Sequence, residues 1–174
     1  MSHLNIEIKA RCSNHTKIRT LLQKQRAEFK GSDHQIDTYF KVNKGRLKLR
    51  EGQLENFLIY YERENIDGPK QSNIILFKSS PDSTLKPILV NSCGVLVVVD
   101  KKREIYFIEN VKFHLDTIEG LGTFMEIEAI DYENNIGMDK LQDQCQKYIS
   151  LFEIPDTDLI SVSYSDLILE QRSN

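Results

Sequence analysis

The sequence predicts an α+β fold: a mainly antiparallel sheet of about eight strands, with helices set between groups of strands. Three observations carry that expectation. Apolar and polar residues alternate with period two in run after run, each bounded by turn residues. Helix-spaced apolar residues occur only in short stretches between those runs. With 8 Gly and 4 Pro in 174 residues, no linker, low-complexity tract or repeat interrupts the pattern, so one domain over residues 1–174 is expected.

From the N-terminus, Leu4 to Arg11 alternates cleanly, with Leu4, Ile6, Ile8 and Ala10 on one face and Asn5, Glu7, Lys9 and Arg11 on the other. Ser13 or Asn14 caps a helix carrying Ile18, Leu21, Leu22 and Phe29 at roughly helical spacing, with Lys17, Arg19, Lys24 and Arg26 as a solvated face. Three strands follow between Gln35 and Arg63. The first holds Asp37 to Val42 and turns at Asn43-Lys44-Gly45, the second holds Arg46 to Arg50, and the third runs from Phe57 to Arg63. Residues 64–72, with Asp67-Gly68-Pro69, read as a loop before a strand over Ser72 to Lys78. Ser83 or Thr84 starts a short helix over Leu85, Ile88 and Leu89, where Pro87 is tolerated in the first turn.

The stretch from Gly94 to Ile130 organises the rest. The apolar run Val95 to Val99 passes into Asp100–Phe107, Glu109-Asn110 turns the chain into Val111–Asp116, and Glu119 to Gly122 turns it again into Phe124–Glu128. These read as three consecutive antiparallel strands. Leu141, Cys145, Tyr148, Ile149 and Phe152 then repeat at helix spacing with Pro155 just beyond, and Tyr164, Leu167 and Ile168 mark a short terminal helix or strand.

The charged strand faces point to chemistry. Arg46, Lys48 and Arg50 recur every second residue, roughly 6.6 Å apart along a strand. Lys101 with Arg103, His114 with Asp116, and Glu126 with Glu128 likewise share faces. Solvated faces usually mix signs, whereas these are segregated, and like charges held close repel unless something compensates them. Closing the strands into a barrel with the charged faces inward would make the interior a polar ligand cavity and leave the apolar exterior to the helices. Several cations beside separate carboxylates suit a polyphosphate: Arg can contact two phosphate oxygens at once, and carboxylates can hold a divalent metal that neutralises developing charge. His114 reads equally well as structural or functional, and Asp37 with Tyr39 reads as a strand-end pair rather than a site. There is no nucleophile elbow, P-loop or dinucleotide glycine pattern.

Composition narrows the partners. A net charge of -3 argues against a general nucleic-acid or membrane-surface binder. Cys12, Cys93 and Cys145 are isolated in apolar context, which predicts reduced, buried thiols and a cytoplasmic setting rather than a disulfide or zinc framework. The N-terminal stretch shows no signal-peptide pattern, and no apolar run approaches membrane-spanning length.

The motifs form an ordered set: Glu7-x-Lys9, Arg46-Leu47-Lys48-Leu49-Arg50, Lys101-x-Arg103 ahead of Ile105-Tyr106-Phe107, His114-Leu115-Asp116, Gly120-Leu121-Gly122, Phe124, and Glu126-Ile127-Glu128. From Ile6 to Leu169 this set resembles the CYTH superfamily of triphosphate tunnel enzymes, which includes class IV adenylyl cyclases, thiamine triphosphatases and inorganic triphosphatases. The resemblance implies a closed eight-stranded antiparallel β-barrel with helices packed outside, whose charged tunnel binds a triphosphate with Mg²⁺ or Mn²⁺. It implies phosphate binding by Lys9, Lys48, Arg50, Arg63, Lys101 and Arg103, with Tyr61 an alternative match for Arg63 and Arg46 at the motif's edge. It implies metal ligation by Glu7, Glu126, Glu128 and Asp116, and catalytic roles for Asp116, Glu126 and Lys101. The chain departs from the family's Glu-x-Glu-x-Lys strand at Asn5, which offers a carbonyl oxygen but no charge. It also has no Trp to stack a thiamine ring, leaving that role to Tyr or Phe.

The expected function is therefore that of a metal-dependent phosphohydrolase of a small-molecule triphosphate (tripolyphosphate, thiamine triphosphate or a nucleoside triphosphate). The alternatives are a class IV-type adenylyl cyclase, making cyclic AMP and pyrophosphate, and a non-catalytic polyphosphate or nucleotide binding module. Neither nucleic acid nor membrane is an expected partner, and a homodimer is left open.

Overall fold

The computed structural model describes residues 2–66 and 68–173, so Asp67 of the expected 64–72 loop lies outside the described residues. The strands are β1 (Ser2–Arg11), β2 (Glu28–Phe40), β3 (Arg46–Glu51), β4 (Phe57–Arg63), β5 (Lys70–Lys78), β6 (Val95–Ile108), β7 (Val111–Ile118) and β8 (Gly122–Asp131). The helices are α1 (His15–Lys24), α2 (Leu85–Cys93), α3 (Met138–Leu151) and α4 (Tyr164–Ser173). The strands form a closed barrel in the order β1-β5-β4-β3-β2-β6-β7-β8, with every neighbouring pair antiparallel. β1 closes it, setting Glu7 opposite Lys70 of β5 and opposite Glu128 of β8.

Strand alternation then sorts side chains into two environments. Ile6, Ile8 and Ala10 of β1 point outward with Phe113, Leu115, Met125 and Ile127, and the apolar stripes of α1 (Ile18, Leu22) and α3 (Leu141, Cys145, Tyr148, Ile149) cover them. Fully burying one such Ile or Phe contributes about 1.5–3 kcal/mol, so the main core lies outside the barrel wall. A smaller apolar layer (Phe40, Leu49, Leu89) packs beneath α2. A third lies inside, where Tyr164, Leu167 and Ile168 of α4 meet the inward-facing Val97, Val99, Ile118 and Phe124. That contact stoppers one end of the barrel and makes the terminal element a helix.

Three expectations are corrected. Phe29 belongs to β2, not to the first helix; it is 53% exposed, with its ring 4.8 Å from that of Tyr106. The helix stops at Lys24 because Gln25 caps it and Arg26 takes a left-handed turn (φ 58°), which also removes Arg26 from the helical face. β2 starts well before Gln35: its first half is polar and interrupted by a register shift between Phe29 and Gly31, which hides the alternation, but it pairs with the long β6 on both sides of that shift. Finally, only Cys145 is buried; Cys12 and Cys93 are half-buried, and all three thiols are free. Asn14 does cap α1, its side chain accepting from the Lys17 N–H.

Candidate functional site

The inward faces line a cavity of about 140 Å³ inside the barrel. One half of it centres on Asp37, which is 1% exposed. Its carboxylate accepts from Arg50 Nε (2.9 Å) and Nη2 (3.1 Å), Lys48 Nζ (2.9 Å) and Lys101 Nζ (2.5 Å). Burial alone would raise the Asp37 pKa, but Arg50, Lys101 and Lys48 outweigh it and hold the group well below the usual carboxylate range. Burial pushes the Lys101 ammonium well below the usual lysine value, Arg50, Arg103 and Lys48 add to that, and Asp37 opposes it. Three cations thus share one carboxylate in a closed space.

The other half is rich in acids. Arg103 makes a fork to Asp116 (Nε–Oδ1 2.7 Å, Nη2–Oδ2 2.5 Å) and reaches Glu126 (2.7 Å). Lys9 Nζ lies 2.8 Å from the other Glu126 oxygen and 3.8 Å above the Tyr164 ring, and the Tyr164 hydroxyl donates to Asp116 (2.8 Å). His114 Nδ1 sits 3.0 Å from Glu126 and 3.7 Å from Glu128. Burial, with Arg103 and Lys112 nearby, lowers the His114 pKa to about 3, so the ring is neutral. Burial also lifts the Glu128 carboxyl to about 7; Lys112 opposes this, while Glu126 and Glu7 add to it.

Every residue expected to bind phosphate or metal lines this cavity except Asp116, which is buried behind it against Arg103 and Tyr164. Lys48, Arg50 and Lys101 come together on Asp37, whereas Lys9 and Arg103 belong to the acidic half. Arg63 faces inward on the same side of β4 as Tyr61 and donates to Glu7. Arg46 stands apart, bound to Asp166 (2.9 Å) and Asn65 (3.2 Å). Of the carboxylates named as metal ligands, Glu126 and Glu128 join His114 in a group whose donor atoms all lie within 4.8 Å of one another. Asp116 is engaged by Arg103 and Tyr164, and Glu7 by Arg63. Two carboxylates and an imidazole at that spacing are a donor set for a divalent cation, which would compete with Lys9 and Arg103 for the Glu126 oxygens.

Sequence reasoning missed several contributors. Asp37, read as a strand-end residue, sits well inside β2 and is the hub of the cationic half. Lys112 precedes His114 and Asp116 on one β7 face, so the alternation could have found it. Glu55 carried no local signal, because it reaches the lumen from the β3–β4 turn, where it takes Arg50 Nη1 (2.9 Å), Gln35 Nε2 (3.0 Å) and Lys112. Asp33 fixes that turn by accepting the backbone N–H groups of Gln53 (2.7 Å), Leu54 (3.1 Å) and Glu55 (3.2 Å). Gly52 is required there: a Cβ would lie 2.5 Å from Asp33 Oδ2. Lys70 was missed as well. Its ammonium donates to the carbonyls of Ile66 (3.1 Å), Ile160 (2.7 Å) and Ser161 (3.3 Å), tying the segment before α4 to the barrel, and burial lowers its pKa to about 8.

A closed antiparallel barrel with an ion-lined lumen and its apolar core outside the wall defines a class of tunnel-type proteins. Within it, the CYTH domain profile matches residues 3–164, and the chain belongs to that family. A Methanocaldococcus jannaschii protein provisionally named an adenylate cyclase is 25% identical over 94% of this chain and 98% of its own length. The fold is shared with a Pyrococcus horikoshii protein (TM-score 0.78, 24% identity, 94% of this chain and 98% of that one). It is also shared with a Hippeastrum protein provisionally named an adenylyl cyclase and described as having a dominant triphosphatase activity (TM-score 0.63, 14% identity, 99% of this chain and 96% of that one). Among the described residues no helix is long and apolar enough to cross a membrane.

Proposed function

We propose that this chain is a metal-dependent phosphohydrolase that takes a linear triphosphate into its barrel and releases orthophosphate. The observation that carries the reading is the cationic half: Lys48, Arg50 and Lys101 converge on the single carboxylate of Asp37, which leaves N–H donors to spare for phosphate oxygens. The family membership and the triphosphatase activity described for the Hippeastrum protein support it.

In this reading Lys48, Arg50 and Lys101 hold the non-reacting phosphoryl groups, and Arg103 and Lys9 place the reacting one beside Glu126 and Glu128. Positioning and electrostatics supply most of the rate in such a transfer. Glu126 and Glu128, with His114, would hold Mg²⁺ or Mn²⁺, which when bound neutralises charge on the phosphoryl oxygens. Asp116, held by Arg103 and Tyr164, keeps Arg103 oriented toward the ligand.

The test is incubation with tripolyphosphate, thiamine triphosphate and ATP, each with Mg²⁺, with Mn²⁺ and with EDTA, identifying all products. Orthophosphate release that EDTA abolishes is expected. The adenylate cyclase names of the relatives keep one rival reading in play; cyclic AMP and pyrophosphate as main products from ATP would establish it and overturn the hydrolase.

A further inference from the structure

Of eight buried side-chain polar atoms without a partner among the described residues, Gln35 Oε1, Thr38 Oγ1 and His114 Nε2 are scattered, and the other five fall on three residues. Asn5 Oδ1 and Nδ2, Ser72 Oγ, and Arg63 Nε and Nη2 have no hydrogen-bonding partner in the protein. The register sets these three residues in one line across adjacent strands, with Arg63 opposite Ser72 and Ser72 opposite Asn5. Asn5 is 0% and Ser72 1% exposed, and the Arg63 side chain is 3% exposed. Asn5 shares the β1 face of Glu7 and Lys9, and Arg63 and Ser72 line the cavity. Buried donors and acceptors are rarely left unpaired without a functional reason, and here five of the eight fall in one row.

We propose that the Arg63–Ser72–Asn5 row is a subsite for the end phosphoryl group of the bound triphosphate that does not react. The Nη1 corner of Arg63 is taken by Glu7, which turns the free Nε–Nη2 edge into a two-pronged donor matched to two oxygens of a tetrahedral oxyanion. The Ser72 hydroxyl and the Asn5 amide add donors from the next two strands, each about 4.8 Å further around the wall. Asn5 Oδ1, the one obligate acceptor, accepts a hydrogen bond from a water or a P–OH on that group. An amide here offers no charge against an anion, whereas a carboxylate would repel it, so Asn5 serves as a phosphoryl contact rather than a weakened metal ligand. β5 lies across the closed barrel from β6, so the row and the Lys101/Arg103 side can grip opposite ends of one extended chain.

This assignment rests on the triphosphate reading of the lumen, and the test separates the two. Calorimetry in EDTA would compare tripolyphosphate and orthophosphate on the wild type and on Asn5→Asp, Asn5→Leu and Ser72→Ala, with a melting curve for each. Asn5→Asp should weaken tripolyphosphate at least tenfold and Ser72→Ala several-fold. Asn5→Leu, close in size and free of unpaired polar atoms, should melt higher than the wild type yet bind tripolyphosphate about tenfold more weakly. Orthophosphate should bind weakly and indifferently to all four. Folded variants that bind tripolyphosphate as the wild type does, or an Asn5→Asp that tightens it once Mg²⁺ is added, would overturn the row while leaving the triphosphate reading intact. Orthophosphate that binds the wild type as tightly as tripolyphosphate, with the same losses, would replace the chain-end assignment by a free-phosphate site. Failure of the wild type to bind tripolyphosphate with or without metal would remove both.

Discussion

The two halves of the lumen come from the same strand alternation, yet they carry opposite surpluses. Around Asp37, cations from β3 and β6 crowd one carboxylate from β2. Around Arg103 and Lys9, the carboxylates of Asp116, Glu126 and Glu128 gather from β7 and β8 with a neutral imidazole among them. The titration directions register the difference: Asp37 is held well below the usual range by its cations, while Glu128 is lifted to about 7 by burial and its acidic neighbours. One half has donors in excess and the other acceptors. A ligand that is anionic along its length and carries a divalent cation on one segment would relieve both.

Removing the hub of the first half should have the largest effect. Asp37→Asn leaves Lys48 and Lys101 without their carboxylate and Arg50 with Glu55 alone, and breaking such a buried ion cluster costs about 3–5 kcal/mol. A marked fall in melting temperature is expected, partly reversed by tripolyphosphate, which supplies the missing negative charge. If tripolyphosphate protects this variant less than the wild type, the donor excess is not what the ligand answers.

The second half should respond in the opposite direction and with a pH dependence. Because the folded-state pKa of Glu128 is raised from 4.5 to about 7, the native state binds its proton more tightly than the unfolded chain does. Its contribution is therefore full below pH 4.5 and is lost as pH rises through about 7, a change on the order of 3 kcal/mol for that shift. In EDTA, Glu128→Gln should melt higher than the wild type at pH 8, and the gap should close towards pH 5. Melting curves at those two pH values decide it; a pH-independent gap would show that Glu128 is not carrying the acidic surplus.

The smallest effect is expected at the seam with α4. Tyr164→Phe removes one buried hydrogen bond to Asp116, worth about 1 kcal/mol in stability. A lowered kcat with little change in KM would identify Tyr164 as a positioning residue acting through Asp116 and Arg103, and the two parameters should be measured side by side.

Much of this arrangement was legible in the sequence, because period two both builds a strand and assigns its faces. Lys48 with Arg50, Lys101 with Arg103, and Glu126 with Glu128 could be placed on common faces from spacing alone, and the strong alternation placed β1, β3 and β4 closely, along with most of β7 and the central half of β8. What stayed hidden depends on distant parts of the chain. Asp37 looks ordinary until β3 and β6 deliver Lys48, Arg50 and Lys101 to it. Glu55 is a loop residue whose direction is set by Asp33, some twenty positions earlier, through backbone N–H groups. Phe29 fell at helical spacing by coincidence, and only the left-handed turn at Arg26 separates it from the helix. Closure of the sheet came from the family resemblance, since alternation cannot say whether the first and last strands meet.

That meeting also governs how the molecule assembles. β1 pairs through Glu7 with Lys70 on one side and with Glu128 on the other, so the first strand must await partners from the middle of the chain and from its far third. Contacts so distant along the chain are slow to form, and they make β1 the latch of the barrel. Until the latch engages, the sheet is open and its ionic face remains in water. A chain that closes at β1 last would dehydrate its charges only when counter-charges from every wall are within reach.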